Sequence, residues 1–268
     1  MFGILKTLFG RSPAPTGPRA SLPEGQRVYA IGDVHGRRDL LEALANAIEA
    51  DDRQRGKAET SVILLGDLVD RGPESAGVVS LARDWQKRRK VRVLAGNHEE
   101  MFLKSFESTD ILRHFLRHGG RETLLSYGVD RKAYAVATVE EVQELMAAAV
   151  SEAERAYIAS FEDMITIGDY VFVHAGIDPA QPLDEQKSGD LRWIREPFLS
   201  HAEPFGCVVV HGHTITQDPE VRANRIGIDT GAYASDRLTA LALEGRERRF
   251  IEAARGEDGT IAIRDYAA

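Results

Sequence analysis

The sequence has one cysteine in 268 residues, Cys207. A lone thiol excludes an intrachain disulfide and any thiolate-rich zinc or iron–sulfur site. Its setting, Gly206-Cys207-Val208-Val209-Val210, predicts a small buried hydrophobe. No stretch approaches the roughly 18 apolar residues of a membrane-spanning helix. An excess of positive charge is also missing: 34 lysines and arginines stand against 42 aspartates and glutamates, a net charge of −8. That balance argues against a dedicated nucleic-acid binder. No apolar core of about seven residues followed by a small-residue cleavage site opens the chain, so a secretory signal is not expected. What is present is ordinary for a globular enzyme: 43 % hydrophobic and 28 % charged residues. A chain of this length buries about 75 % of its unfolded surface and needs no staple for a core. The expectation is a cytoplasmic monomer.

The first ten residues are apolar but interrupted by Lys6. Phe2, Leu5, Leu8 and Phe9 share one helical face, which permits a membrane-interface anchor or a protein-docking segment. Residues 11–25 hold four prolines and two glycines and read as a flexible linker. The expected organisation is therefore a tail and linker over 1–25 and one domain over 26–268.

From Arg27 onward short apolar runs recur. Residues 28–31, 62–65 and 91–95 read as buried strands, each closed by a glycine: Gly32, Gly66 and Gly96. Between them, Leu40, Leu41, Leu44 and Ile48 have helical spacing, and Pro73-Glu74 opens a second helix running to about Lys90. This alternation predicts parallel strand–helix–strand units. Residues 98–163 read as helical, with breaks at Gly119-Gly120 and near Gly128. Apolar runs at 170–174, 207–211, 238–243, 249–252 and 260–263 then predict a strand-rich second half. The class is α/β with a helical insertion at about 99–165.

The strand ends carry the chemistry. The first three runs end in Gly32-Asp33-Val34-His35-Gly36, Gly66-Asp67-Leu68-Val69-Asp70-Arg71-Gly72 and Gly96-Asn97-His98-Glu99. Two later ones end in His174-Ala175-Gly176 and His211-Gly212-His213-Thr214. Ligands of open α/β sheets collect beyond the carboxyl ends of strands. One aspartate there is usually a turn or cap residue. Five such ends are hard to read as caps, because buried carboxylates and imidazoles without partners cost several kcal/mol. Carboxylate, imidazole and amide donors without thiolate suit manganese, iron or zinc.

In that order, these motifs resemble the phosphoprotein phosphatase family of metallophosphoesterases, and most closely its small bacterial and phage serine/threonine phosphatases. The likeness extends from Gly32 to Gly231. It implies a calcineurin-like β-sandwich flanked by helices, two divalent metal ions (manganese first, with iron or zinc as alternatives), and hydrolysis of phosphomonoesters in phosphoproteins or phosphopeptides. Carried over residue by residue, it gives Asp33, His35 and Asp67 to one ion and Asp67, Asn97, His174 and His213 to the other. It makes His98 the general acid, Asp70 its hydrogen-bond partner, and Arg71 and Arg195, with Asn97, the binders of the substrate phosphate. Arg195 rests on Leu191-Arg192-Trp193-Ile194-Arg195-Glu196, where Arg192 is the substitute.

His211 and His213 are two apart, and on a continuing strand they share a face. The Gly-His-Thr likeness assigns the metal to His213 and leaves His211 as a hydrogen-bond partner of a ligand. His114, His118 and His201 read as surface residues, and Lys87-Arg88-Arg89-Lys90 as a solvated helix end. Two other functions share features with this reading: a dinucleoside polyphosphate hydrolase such as a diadenosine tetraphosphatase, and a catalytically silent phosphopeptide-binding scaffold. Specificity is expected in the helical insertion and the loops.

Overall fold

The computed structural model describes residues 20–268, so the apolar segment and most of the proline-rich stretch lie outside the described residues. Two mixed sheets form the core. In the first, β1 (Gln26–Ile31), β2 (Glu59–Leu64) and β3 (Val91–Val93) run parallel. β9 (Arg237–Glu244), β10 (Glu247–Arg255) and β11 (Ile261–Ala267) add antiparallel strands, giving the order β11-β10-β9-β1-β2-β3. The second sheet is built from β4 (Met164–Ile167), β5 (Tyr170–Val173), β6 (Val208–His211), β7 (Glu220–Val221) and β8 (Arg225–Gly227), in the order β4-β5-β6-β8-β7.

Strand alternation explains why the sheets stack. On β1, Val28 and Ala30 enter a core that they share with Tyr170, Phe172, Val208 and Val210 of the second sheet. Tyr29 and Ile31 point the other way, into a cluster with α1 (Arg38–Gln54) and α2 (Ser75–Gln86). Side chains of period two thus sort onto opposite faces. Residues from α1 (Leu40, Leu41, Leu44, Ile48) and α2 (Val78, Val79, Trp85) close the outer face. On β5, Val171 and Val173 meet Ile177, Leu191 and Phe198, so the second sheet also has an outer apolar layer.

The region after β3 is helical as its periodicity predicts. α3 (Asn97–Lys104), α4 (Thr109–Phe115), α5 (Arg121–Ser126), α6 (Arg131–Val136), α7 (Val139–Ala149) and α8 (Glu152–Ala159) follow one another. Ser108, Thr138 and Ser151 cap three of them by accepting backbone N–H groups. The breaks fall at the expected glycines: Gly119 and Gly128 have φ of +105° and +92°. Two short helices, α9 (Ser188–Trp193) and α10 (Ala232–Ser235), complete the set.

Four details depart from the sequence expectation. The helix after Pro73 begins only at Ser75 and ends at Gln86, because residues 72–74 are bonded back to the first loop: Gly72 N–H to His35 O (3.1 Å) and Glu74 N–H to Gly36 O (3.0 Å). Cys207 is half-buried, since it precedes β6 and packs only against the outer layer of the second sheet. β4, β7 and β8 gave no separate apolar run, being two to four residues long and, in β8, carrying a buried arginine, Arg225. Residues 20–25 are not linker. Leu22 is buried in the core between the sheets and its N–H donates to Gly245 O (2.8 Å). The Ser21 N–H donates to Asp169 (2.9 Å), and the Tyr170 hydroxyl donates to Ala20 O.

Burying a leucine this completely makes Leu22→Ala a core truncation. We expect it to lower unfolding free energy by about 2–5 kcal/mol, read by urea denaturation. An unchanged midpoint would show that the segment only lies on the surface.

Candidate metal centre

The five strand ends singled out in the sequence converge at one edge of the sandwich. Asp33, His35, Asp67, Asp70, Asn97, His98, His174 and His213 are all buried there. The backbone that presents them is strained. His35, Asp67, Asp70, Arg71 and His213 have φ between +43° and +73°, and the only other non-glycine residue with positive φ among those described is Asp236. Such conformations cost about 1 kcal/mol or more each for residues with a Cβ, so something must hold them.

Glu99 does much of the holding. Its carboxylate accepts N–H groups from Gly96 (2.8 Å), Asp67 (2.8 Å), Leu68 (2.7 Å) and Val69 (3.3 Å). One side chain in the first turn of α3 thereby clamps the loop after β2. Burial and the Asp67 charge push Glu99 up to about 7, against the pull of these N–H donors. Its only sequence signal is an acid three residues into a helix opened by glycine, the capping-box position. Gly96 is the close-approach residue, because a Cβ there would strike the Asp67 carboxylate.

Asp67 is the common member of two donor clusters, one with His35 and His98 and one with His174 and His213. His35 Nε2 lies 3.4 Å from Asp67 Oδ2, and His174 Nε2 lies 3.5 Å from Oδ1. The other ring nitrogens are committed: His35 Nδ1 donates to Val69 O and His174 Nδ1 to Leu65 O, both at 2.8 Å. Each ring therefore presents the Nε2 lone pair inward, the tautomer that a metal ligand requires. His174 Nε2 also faces Asn97 Oδ1 at 3.0 Å. His213 Nε2 is buried and has no hydrogen-bond partner. Lone pairs facing carboxylate and amide oxygens, with an orphaned imidazole nitrogen beside them, fit divalent cations and fit little else.

Charge reinforces the fit. Burial keeps His35, His174 and His213 neutral, lowering their pKa values (that of His213 to about 3). Burial also opposes ionisation of Asp67, and the imidazoles around it draw its carboxyl below the usual range only where they carry a proton, the form that His98 alone among them favours. Asp33 is pushed up by burial and by two neighbouring carboxylates, Asp229 and Asp67. Asp33 stands outside both three-residue clusters and accepts the His213 N–H at 3.0 Å. Asp229, not singled out from the sequence, is buried beside it and is raised to about 6 by burial and by Asp67.

His98 and Asp70 form a buried pair, Nδ1 to Oδ2 at 2.6 Å. Burial disfavours the imidazolium, but Asp67 and the hydrogen bond to Asp70 prevail and raise His98. Asp70 is itself held from the helical insertion. The Thr123 hydroxyl donates to its Oδ1 (2.6 Å) and accepts its N–H (2.8 Å). Thr123, 53 positions away, had no sequence signal. The Arg71 guanidinium reaches His35 Nε2 (2.8 Å) and His98 Nε2 (3.0 Å), with the half-exposed Tyr233 ring 4.7 Å from its centre. Arg195 lies 3.4 Å from His213 O, whereas Arg192 is committed to Asp163 (2.6 Å) and Glu100 (3.4 Å).

His211 corrects the shared-face expectation. β6 ends at His211, and the left-handed φ of +61° at His213 turns the two rings apart. His211 faces Phe198 (5.1 Å between ring centroids) and Arg225 (3.3 Å), where burial lowers it to about 4. It touches none of the clustered donors.

The Glu99 clamp yields a test free of turnover. In Glu99→Gln a carboxamide offers one acceptor oxygen to four N–H groups and turns an NH₂ toward the rest. We expect a loss of about 1–3 kcal/mol in chemical denaturation of the metal-free protein, and weaker manganese binding by calorimetry. Unchanged values for both would show that the loop holds itself.

The sequence profile of the calcineurin-like phosphoesterase family matches residues 26–236. Among curated proteins, the asymmetrical bis(5'-nucleosyl)-tetraphosphatase PrpE of Bacillus velezensis is 25 % identical over 259 residues, 88 % of this chain and 96 % of that one. Serine/threonine-protein phosphatase 1 of Salmonella typhimurium is 28 % identical over 229 residues, 82 % and 93 % of the two chains. A crystal structure of a cold-active protein tyrosine phosphatase superposes with a TM-score of 0.57 at 21 % identity, covering 91 % of this chain and 81 % of that one. At that identity the likeness is one of fold. With the profile covering β1 to β8 and the donor clusters, the chain belongs to the calcineurin-like metallophosphoesterases, a family of metal-dependent hydrolases.

Proposed function

We propose that the protein is a phosphomonoester hydrolase that acts on phosphoserine and phosphothreonine in polypeptides. The observation that carries this reading is the buried His98–Asp70 pair, set beside the carboxylate common to both donor clusters. Serine and threonine leave as strongly basic alkoxides, and such leaving groups need a proton donor. A phosphate or nucleotide leaving group needs one far less.

In this reading Asp33, His35 and Asp67 hold one divalent ion and Asp67, Asn97, His174 and His213 the other. The set mixes carboxylate and amide oxygens with imidazole nitrogens, which suits manganese, iron or zinc, and manganese is the ion taken here. Two such ions, when bound, withdraw charge from the phosphoryl oxygens and lower the pKa of water. The chain's own groups do the rest. Arg71 and Arg195 offer planar donor forks to the phosphoryl oxygens, and Asn97 adds an amide donor. Once the Arg71 guanidinium turns from His98 Nε2 to the phosphoryl oxygens, Nε2 is free to carry the proton that His98 gives to the departing oxygen as the ester P–O bond breaks. Asp70, held by Thr123, keeps Nδ1 protonated and the ring in place. Water supplies the new P–O bond, and the products are the free alcohol and inorganic phosphate.

The similarity to PrpE supports a second reading, asymmetric hydrolysis of dinucleoside tetraphosphates, with the same residues handling an anhydride. Turnover of a phosphothreonine peptide against diadenosine tetraphosphate separates the two, and we expect the peptide to have the higher kcat/KM.

Within the first reading, His98→Asn should lower kcat on the phosphothreonine peptide by about 10²–10⁴-fold, the usual worth of general acid catalysis. Nitrophenyl phosphate, whose leaving group is a stabilised phenolate, should lose less. Equal losses on both substrates, in variant protein with wild-type metal content, would contradict proton donation.

A further inference from the structure

The segment joining α4 to α5 combines charge and position in a way the reaction itself does not use. Residues 111–121 read Ile-Leu-Arg-His-Phe-Leu-Arg-His-Gly-Gly-Arg, with three arginines, two histidines and no acid between Asp110 and Glu122. In a chain of net charge −8 this is a local reversal of sign. Phe115 and Leu112 point inward, while Arg113, His114, Arg117, His118 and Arg121 are all exposed.

Many other arginines of this protein are spent on carboxylates: Arg27 on Asp52 and Glu244, Arg55 on Glu244 and Glu247, Arg89 on Glu49 and Asp52. The strip is different. Arg121 meets only its neighbour Glu122 (2.9 Å), Arg113 meets Glu140 loosely (3.6 Å), and Arg117 has no carboxylate within 4.0 Å among the described residues. The His114 and His118 rings lie 4.1 Å apart. The His118 Nδ1 donates to His114 O at 2.8 Å, so its Nε2 is turned to solvent.

The strip also adjoins the phosphate-handling residues. Immediately after His118, Gly119 accepts the Arg71 N–H (3.1 Å), and its backbone lies so close that a Cβ there would stand 2.5 Å from Arg71 N and 2.8 Å from Arg71 Cγ. The strip is thus joined by its own backbone to Arg71.

We propose that Arg113, His114, Arg117, His118 and Arg121 form a docking surface for the acidic flank of a phosphorylated polypeptide whose phosphate occupies the metal centre. The proposal rests on the phosphopeptide reading above. Charge complementarity selects the occupant. Basic side chains that follow one another along the strip can meet successive carboxylates of an extended peptide, spaced at about 3.3 Å per residue.

The test uses full-length, manganese-loaded protein and two phosphothreonine peptides of equal length, one with glutamates beside the phosphate and one with glutamines. Wild type should favour the acidic peptide, chiefly through KM, and raising ionic strength should shrink the preference. Each exposed ion pair is worth about 1.5- to 5-fold. Arg117→Ala should remove about that much of the preference, and Arg117→Glu should abolish it. Turnover of nitrophenyl phosphate, which has no flank, should stay unchanged in both. Equal kcat/KM for the two peptides in wild type, or an acidic preference untouched by Arg117→Glu, would overturn the docking surface. A loss on diadenosine tetraphosphate without one on the acidic peptide would assign the strip to polyphosphate and also overturn it. Hydrolysis of nitrophenyl phosphate with neither peptide turned over would overturn the phosphopeptide reading instead.

Discussion

The structure depends on how a buried carboxylate is kept ionised. Asp67 sits inside the protein with Asp33 and Asp229 nearby, and three carboxylates gathered away from water repel one another and lose hydration. What surrounds them is a set of neutral imidazoles with lone pairs turned inward, the His98 ring, whose protonated form Asp67 and Asp70 favour, and one guanidinium, that of Arg71. Such a site stores negative potential, and divalent cations resolve it. The chemistry of a metallophosphoesterase is thus written into an electrostatic imbalance that the fold maintains.

Maintaining it has a conformational cost. Five of the site residues occupy left-handed backbone, and the side chains that pin them are less conspicuous than the ligands. Glu99 gathers four N–H groups of the loops after β2 and β3, and Thr123 reaches from the helical insertion to fix Asp70. The insertion is therefore tied to the catalytic edge at two points, Thr123 on Asp70 and Gly119 on Arg71. A segment expected only to select substrates also sets the posture of Asp70 and Arg71, the residues proposed to orient the acid and to bind phosphate.

This division explains what the sequence made legible. β1, β2 and β3 are legible because their apolar runs end in glycine followed by Asp33, Asp67 or Asn97, and the motifs single out Asp67, His98 and His174. β7 and β8 are not legible, because two- and three-residue strands are defined by their neighbours rather than by their own pattern. Thr123 is an ordinary helix residue until the fold brings it to Asp70. The His211–His213 pair misled because spacing assumes a continuing strand, and the left-handed turn at His213 ends that assumption. Leu22 was hidden within a proline-rich stretch, its burial decided by the gap between two sheets.

The central claim is that Asp67 is shared by two metal ions, and metal stoichiometry tests it most directly. Wild-type protein and Asp67→Asn, each saturated with manganese and freed of excess, would be compared by elemental analysis, with circular dichroism as the check on folding. The account predicts two ions per chain in the wild type and loss of both in the folded variant, because the amide cannot neutralise either cation. A folded Asp67→Asn protein that keeps two tightly held ions would contradict it.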